Sequence, residues 1–243
     1  MASKNFALFA YLGKTYDTTN LAHFTNAYLN CTRLMAMLDP QKWHRDLLAD
    51  ELATRDAIHT SYLEIIRQAE PQSWLLFYFF GHGMTDYRYG TKNRYGDLQT
   101  YLITYSSALA GGVPYDEFKE LFLLDEDLTD LTLKALAKGV YVCNIVDCCY
   151  GGGMVTLPTN TPNSANHVFL AAAQPQRTAI LTVYDSSTST KFYSALHPAA
   201  TSAGTFSELR QKVDNAFTGM DKSETPVVML DQDLSRGASV FRL

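Results

Sequence analysis

Two short stretches carry side chains whose type and setting suit nucleophilic chemistry. The first is Tyr141-Val142-Cys143-Asn144-Ile145-Val146-Asp147-Cys148-Cys149-Tyr150-Gly151-Gly152-Gly153, an apolar run followed by an acid, two thiols, an aromatic residue and three glycines. The second is Trp74-Leu75-Leu76-Phe77-Tyr78-Phe79-Phe80-Gly81-His82-Gly83, an apolar run that ends on a histidine between two glycines. Each reads as a buried strand that stops abruptly and hands a reactive side chain to a glycine-permitted turn. A cysteine attacks as its thiolate, so it needs an imidazole to manage the proton, and acyl transfer also needs donors for the oxyanion. Cys149 supplies the thiol in this reading and His82 the imidazole, with the main-chain N–H groups of Gly83 and Cys149 as oxyanion donors. A cysteine inside an apolar strand is ordinarily a small core residue, which suits Cys31 and Cys143. Cys149 stands past its strand end. A lone Gly-His-Gly is ordinarily a loop histidine, and only the pairing with the cysteine turn singles out His82.

The elements that must position these groups read as an alternation of strands and helices. Asn5 to Leu12 is a first core strand. Leu21, Phe24, Tyr28, Cys31, Leu34, Met35 and Leu38 recur at helical spacing over 20–38, and Asp39-Pro40 ends that helix. A second helix spans Thr54 to Ala69, and the His82 strand follows Pro71. Strand, helix, helix, strand is a crossover connection, which favours a parallel sheet. Met84 to Gly112, rich in tyrosine and glycine, reads as a surface hairpin or long loop beside His82. Helical segments are expected over 116–122 and 130–137, with Gly139 closing the second. Met154 to Asn166, rich in Thr, Pro and Asn, reads as a linker dividing two halves of one sheet. His167 to Ala173 is a further strand, Ser189 to Leu196 and Thr205 to Phe217 are helices, and 226–230 and 238–241 are terminal strands. The expected fold class is α/β, a three-layer sandwich with helices on both faces of a mostly parallel sheet of about six strands. The expected organisation is a single domain over 1–243: a half carrying His82 and Cys149 (1–153), the linker (154–166) and a second half (167–243).

Composition narrows the partners. With 243 residues and 47% hydrophobic content the chain can bury a sizeable core. A net charge of −5, from 20 basic and 25 acidic residues, makes no electrostatic case for nucleic acid or an anionic membrane. The first residues do not read as a secretory signal, and no run approaches the roughly 18 apolar residues of a membrane span. The four cysteines show no repeated C-x-x-C pair at zinc-site spacing. A cytoplasmic protein with reduced thiols, no metal ligands and a favoured monomeric state is the expectation.

At the two strand ends the sequence resembles a known family. Phe77-Tyr78-Phe79-Phe80-Gly81-His82-Gly83 is similar to the histidine motif of caspase-like cysteine peptidases, above all metacaspases and prokaryotic caspase homologues, where a strand ends in Tyr-Ser-Gly-His-Gly. Asp147-Cys148-Cys149-Tyr150-Gly151-Gly152 resembles their Asp-Ser-Cys-His-Ser-Gly nucleophile turn. The resemblance continues through Ala7 to Tyr16, Leu48 to Arg55, Phe169 to Gln174, Gly204 to Leu209 and Glu224-Thr225-Pro226. It implies a cysteine endopeptidase that acts on protein or peptide substrates, with His82 as the catalytic imidazole and Cys149 as the nucleophile. Cys148 falls where the family often has serine and is the alternative nucleophile. Asp147 falls on the acid that lines the pocket for P1, the residue before the cut bond, in enzymes that cleave after Arg or Lys. A carboxylate two residues before the nucleophile suits a cation on physical grounds as well, and its plainer alternative is an Asp that caps the turn.

Three departures bear on substrate and ion. The family's Asn-Asp pair falls on Asn26-Ala27, which leaves Asn26 in the pocket and removes a second carboxylate. The serine before Gly-His-Gly is Phe80, a bulkier and less polar wall. The family's calcium-binding acid falls near Thr156, so calcium is not required in this reading, although Asp97 and Asp116 could contribute to an ion site. From Gly151 through Gln176 there is no Lys or Arg, so an enzyme that prefers basic residues cannot cut itself there. Arg88, Lys92 and Arg94 are the better self-cleavage candidates, and the chain is expected to act intact. The other function classes are a non-catalytic caspase-like module that binds or regulates a partner, and a thiol metal or redox site at Cys148 and Cys149. Adjacent cysteines in extended chain point to opposite sides and chelate one ion poorly, which weakens the last.

Overall fold

A computed structural model describes residues 4–13, 24–87, 90–107, 121–184, 187–222, 225–230 and 241. Its strands are β1 (Asn5–Tyr11), β2 (Trp43–Ala49), β3 (Trp74–Phe80), β4 (Gly83–Thr85), β5 (Thr100–Leu102), β6 (Leu123–Leu124), β7 (Tyr141–Asp147), β8 (His167–Ala171), β9 (Leu181–Tyr184), β10 (Ser187–Thr190) and β11 (Val227–Leu230). Its helices are α1 (Ala27–Ala36), α2 (Arg55–Gln68), α3 (Asp125–Ala137), α4 (Lys191–Ser202) and α5 (Phe206–Ala216).

Six strands form one sheet in the order β11-β8-β7-β3-β1-β2, and every neighbouring pair is parallel except β11 with β8. Both faces are covered, which is why β3 and β7 read as continuous apolar runs rather than alternating ones. Alternate residues serve opposite layers. Ala7, Phe9 and Tyr11 of β1 and Leu76, Tyr78 and Phe80 of β3 pack with α1, α4 and α5. Phe6, Leu8 and Ala10, with Leu75, Phe77 and Phe79, pack instead against α2 and α3. This is the expected α-β-α sandwich.

The local reasons are visible in the caps. The Thr54 hydroxyl accepts from Ala57 N at the start of α2, and Thr205 and Glu208 form a reciprocal capping box on α5. Gly139, at φ +80°, follows the end of α3 and lets Val140 N reach back to the Ala135 carbonyl.

Four expectations need correction. A strand, β2, lies between the first two helices, on the edge of the sheet. Its burial is only partial beyond Trp43, so no apolar run announces it. The tyrosine-rich segment after His82, expected as a surface hairpin or long loop, supplies β4 and β5, which pair antiparallel and are extended by β6 from beyond it into a small sheet with β5 buried. Residues 189–190 end β10 and cap α4, with the Thr190 hydroxyl accepting from Tyr193 N. Helix α3 starts at Asp125, five residues before the expected 130. The expected helix at 116–122 falls almost wholly, and the expected strand at 238–241 except for Phe241, outside the described residues. The 154–166 segment lies against the α2–α3 layer: Met154 and Val155 are buried, Thr156 N donates to Thr129 Oγ1, and Asn163 Nδ2 donates to the Leu136 carbonyl.

Candidate active site

The C-terminal edge of an open parallel sheet is where ligands bind, and β3 and β7 end there side by side. Their register sets Phe80 opposite Asp147, and Gly81 N donates to the Asp147 carbonyl at 3.4 Å. Past those ends the two loops touch. A β-carbon on Gly83 would overlap the carbonyl oxygen of Cys149 and lie 2.6 Å from the Cys148 sulfur. The histidine loop and the cysteine turn therefore share one surface.

His82 is half-buried, and its loop is held from behind by Ile103 N, which donates to the His82 carbonyl. The ring of Phe24, just before α1, packs on the imidazole with centroids 4.6 Å apart and meets Phe80 edge-on at 4.9 Å. Phe24 belongs to the site although its helical spacing marked it only as a core residue. Tyr87 and Tyr150, one from each loop, meet at 5.8 Å and form an aromatic wall beside the cysteine turn.

The two thiols have different settings. Alternation along β7 sends Cys148 into the α2–α3 layer, where it is buried and donates to the Cys149 carbonyl. Burial pushes its pKa well up. Cys149 is half-buried, and its sulfur accepts a hydrogen bond from Ala179 N at 3.3 Å. Burial raises its pKa, the Ala179 amide and its own backbone pull the other way, and the charge of Asp147 adds to the rise. The turn itself does not rest on glycine freedom. Tyr150 takes the left-handed conformation at φ 58°, and Gly151–Gly153 form a short 3-10 turn. Gly152 is needed for closeness, since a β-carbon there would come 2.8 Å from the Ala173 carbonyl oxygen.

Asp147 lies on the α1 and α4 side of the sheet and has no exposed surface. Thr190 donates to one carboxylate oxygen at 2.6 Å and the Tyr78 hydroxyl to the other at 3.0 Å. Burial lifts its pKa to about 7 against the opposing pull of those two hydroxyls. Phe80 is likewise fully buried. Asn26 sits half-buried before α1 and makes no side-chain cap bond there.

Asp97, Thr100, Gly152, Gly153, Thr156, Pro175 and Gln176 line a small cavity beside the turn. Asp97 is the single carboxylate in that lining. Calcium takes six to eight oxygen ligands, several of them carboxylates. The residues described there do not fit it, and no group of three His, Cys, Asp or Glu able to hold a metal occurs among the described residues. Asp116 and Arg88 lie outside the described residues. Of the other self-cleavage candidates, Lys92 is exposed and bridged to Leu98, and Arg94 pairs with Asp130 at 2.7 Å. No described helix is long and apolar enough to cross a membrane.

The fold and both loops have counterparts. The whole chain superposes on protein GSU0716 from Geobacter sulfurreducens with a TM-score of 0.67, covering 99% of each chain at 12% identity, a likeness of fold alone. Metacaspase III c of Phaeodactylum tricornutum is 30% identical over 98 residues, which is 40% of this chain and 26% of that protein. Metacaspase-5 of Trypanosoma cruzi is 29% identical over 107 residues, 44% of this chain and 22% of that protein. The chain thus matches about a quarter or less of the length of these curated relatives. The family model for the metacaspase peptidase C14 domain matches residues 9–158, which is more than half of the chain and includes both reactive loops. The chain belongs to the metacaspase family of caspase-like cysteine peptidases.

Proposed function

We propose that this protein is a cysteine endopeptidase in which Cys149 and His82 act as a dyad on peptide bonds. The observation that carries the proposal is the contact of Gly83 with the Cys149 carbonyl, which joins the imidazole-bearing and thiol-bearing loops at the ends of adjacent parallel strands. Burial raises the Cys149 pKa, so the resting group is a thiol and His82 takes its proton as substrate arrives. The sulfur adds to the scissile carbonyl, and the amides of Gly83 and Cys149 hold the oxyanion. Collapse breaks the C–N bond, and His82 returns the proton to the leaving amine. Water, deprotonated by His82, then releases the acyl group and restores the thiol.

Residues 151–176 contain no Lys or Arg, so an enzyme that cut after basic residues would act as one intact chain. The Arg or Lys preference expected at P1 gains no support from the geometry, since both Asp147 oxygens are engaged inside the protein. The proposal is therefore made for peptide hydrolysis without a P1 residue assigned. A positional peptide library, incubated with and without calcium and read by mass spectrometry, tests it. New termini are expected with the wild-type chain and lost in Cys149→Ala and His82→Ala. Cleavage that survives in Cys149→Ala sinks the proposal.

A further inference from the structure

After β8, residues 177 and 179 touch the nucleophile turn, 181–184 form β9, and 187–190 form β10 and lead into α4. Four contacts fasten them. Tyr150 N donates to the Arg177 carbonyl at 2.7 Å, and Ala179 N donates to the Cys149 sulfur. β9 and β10 then pair antiparallel from Leu181–Thr190 to Tyr184–Ser187. At the far end Asn30 Nδ2 donates to Ser189 Oγ, and the Thr190 hydroxyl donates to Asp147. The same Thr190 oxygen caps α4. One threonine thus joins the strand that presents the nucleophile, the β9–β10 pair and the helix that follows.

Nothing about Asp147 suits contact with a substrate side chain. It has no exposed surface, and both of its oxygens are filled by fixed hydroxyls from β3 and β10. Its neighbours Cys31 of α1 and Phe80 of β3 are buried, and Phe80 in turn meets the buried ring of Phe24 edge-on. A cation could reach it only if the side chains that bury it moved aside. A buried carboxyl that takes a fixed hydroxyl at each oxygen favours one arrangement of the elements it joins.

We propose that Asp147 is a positioning residue. Its carboxyl fastens β10, and through it the paired β9 and the preceding Ala179 N that meets the Cys149 sulfur, and it does not receive the P1 side chain. This rests on Cys149 being the nucleophile. It also separates this chain's acid from the specificity role that its place before the cysteine suggests.

The test uses Asp147→Asn, Thr190→Val, Thr190→Ser and Tyr78→Phe in the full chain. The readouts are melting temperature, the rate of Cys149 alkylation by iodoacetamide, and kcat/KM on matched peptides with Arg or Leu at P1. Asp147→Asn and Thr190→Val are expected to shift the alkylation rate in the same sense and to lower kcat/KM by about tenfold on both peptides, leaving their ratio within about threefold. The double variant should be little worse than the more damaging single one, because Thr190→Val removes the donor and Asp147→Asn leaves one acceptor oxygen for two hydroxyls, so both act on the same contact. Thr190→Ser, which keeps the hydroxyl, should restore all three readouts. The proposal is overturned if Asp147→Asn lowers the Arg-to-Leu ratio by on the order of a hundredfold while Thr190→Val leaves it unchanged. If the wild-type chain cleaves no peptide, the endopeptidase reading fails by itself, and the anchor is still tested: a Thr190→Val protein with wild-type melting temperature and alkylation rate overturns it. Should Asp147→Asn not fold, Thr190→Val and Tyr78→Phe remove its two partners instead.

Discussion

Gly83 lies against the carbonyl oxygen of Cys149 so closely that no side chain fits between them. Gly83 is not among the glycines at positive φ, so the residue after the histidine is glycine because of what faces it. Gly83→Ala must push the two loops apart, and backbone on one side leaves little room to yield. Overpacking of this kind costs about 1–3 kcal/mol. The expected result is a lower melting temperature together with a slower reaction of Cys149 with a peptide-type thiol electrophile. A variant with unchanged melting temperature and labelling rate would show that the loops do not meet here.

Labelling also separates the two thiols. Cys149 is partly accessible and Cys148 is not, and burial keeps both thiols protonated at neutral pH. Iodoacetamide should therefore modify Cys149 alone in the folded protein, at a rate that climbs as pH rises into the alkaline range and the thiolate fraction grows. Cys148→Ser should leave the stoichiometry at one, and Cys149→Ser should take it to zero. Peptide mapping of the alkylated chain reads both, and modification found on Cys148 first would reassign the nucleophile.

Much of this arrangement was legible in the sequence, and the exceptions share a cause. β1, β3, β7 and β8 are buried on both faces and so appear as apolar runs. The reactive residues appear because glycines bracket them. β2 has no such signature, since an edge strand needs few apolar side chains and Trp43-His44-Arg45-Asp46 looks like a polar surface. Thr190, Ala179 and Phe24 come from distant segments, and each acts through one or two main-chain or side-chain contacts. No periodicity carries such contacts. Three glycines after Cys149 suggested a turn made by backbone freedom, but Tyr150 supplies the left-handed residue and the glycines supply clearance.

Helix α3 is tied to α2 by one carboxylate with two duties. Arg55 donates to both oxygens of Asp127 at 2.9 and 3.0 Å, and Leu124 N donates to the same side chain at the helix start. The pair is only partly exposed, so solvent weakens it less than a surface ion pair. Asp127→Ala loses the cap and the pair together and should cost about 2 kcal/mol, while Arg55→Ala leaves the cap in place and should cost about 1 kcal/mol. Urea unfolding measures both. An Asp127→Ala cost of about 1 kcal/mol or less would mean that the cap contributes nothing.

Two buried groups should bend the stability profile in opposite directions below neutral pH. Burial lowers the His167 pKa from 6.5 to about 4, and Asn144 holds its ring at 3.1 Å. Above pH 6.5 the ring is neutral in folded and unfolded chains alike. As pH falls from 6.5 towards 4 the unfolded chain takes up a proton that the folded chain refuses, so stability is lost across that window. Asp147 does the reverse, because its pKa is raised from 3.8 to about 7. Between those values the folded chain holds a proton that the unfolded chain has released, so stability grows as pH falls and levels off below about 4. In the wild-type protein the two slopes offset each other over pH 4–6.5. His167→Gln removes the acid-labile component and should steepen the gain in stability on acidification. Asp147→Asn removes the opposing component and should expose a net loss over the same range. Melting temperatures of the three proteins at half-unit steps from pH 4 to 8 measure the two effects, and parallel profiles would mean that neither group titrates within the fold.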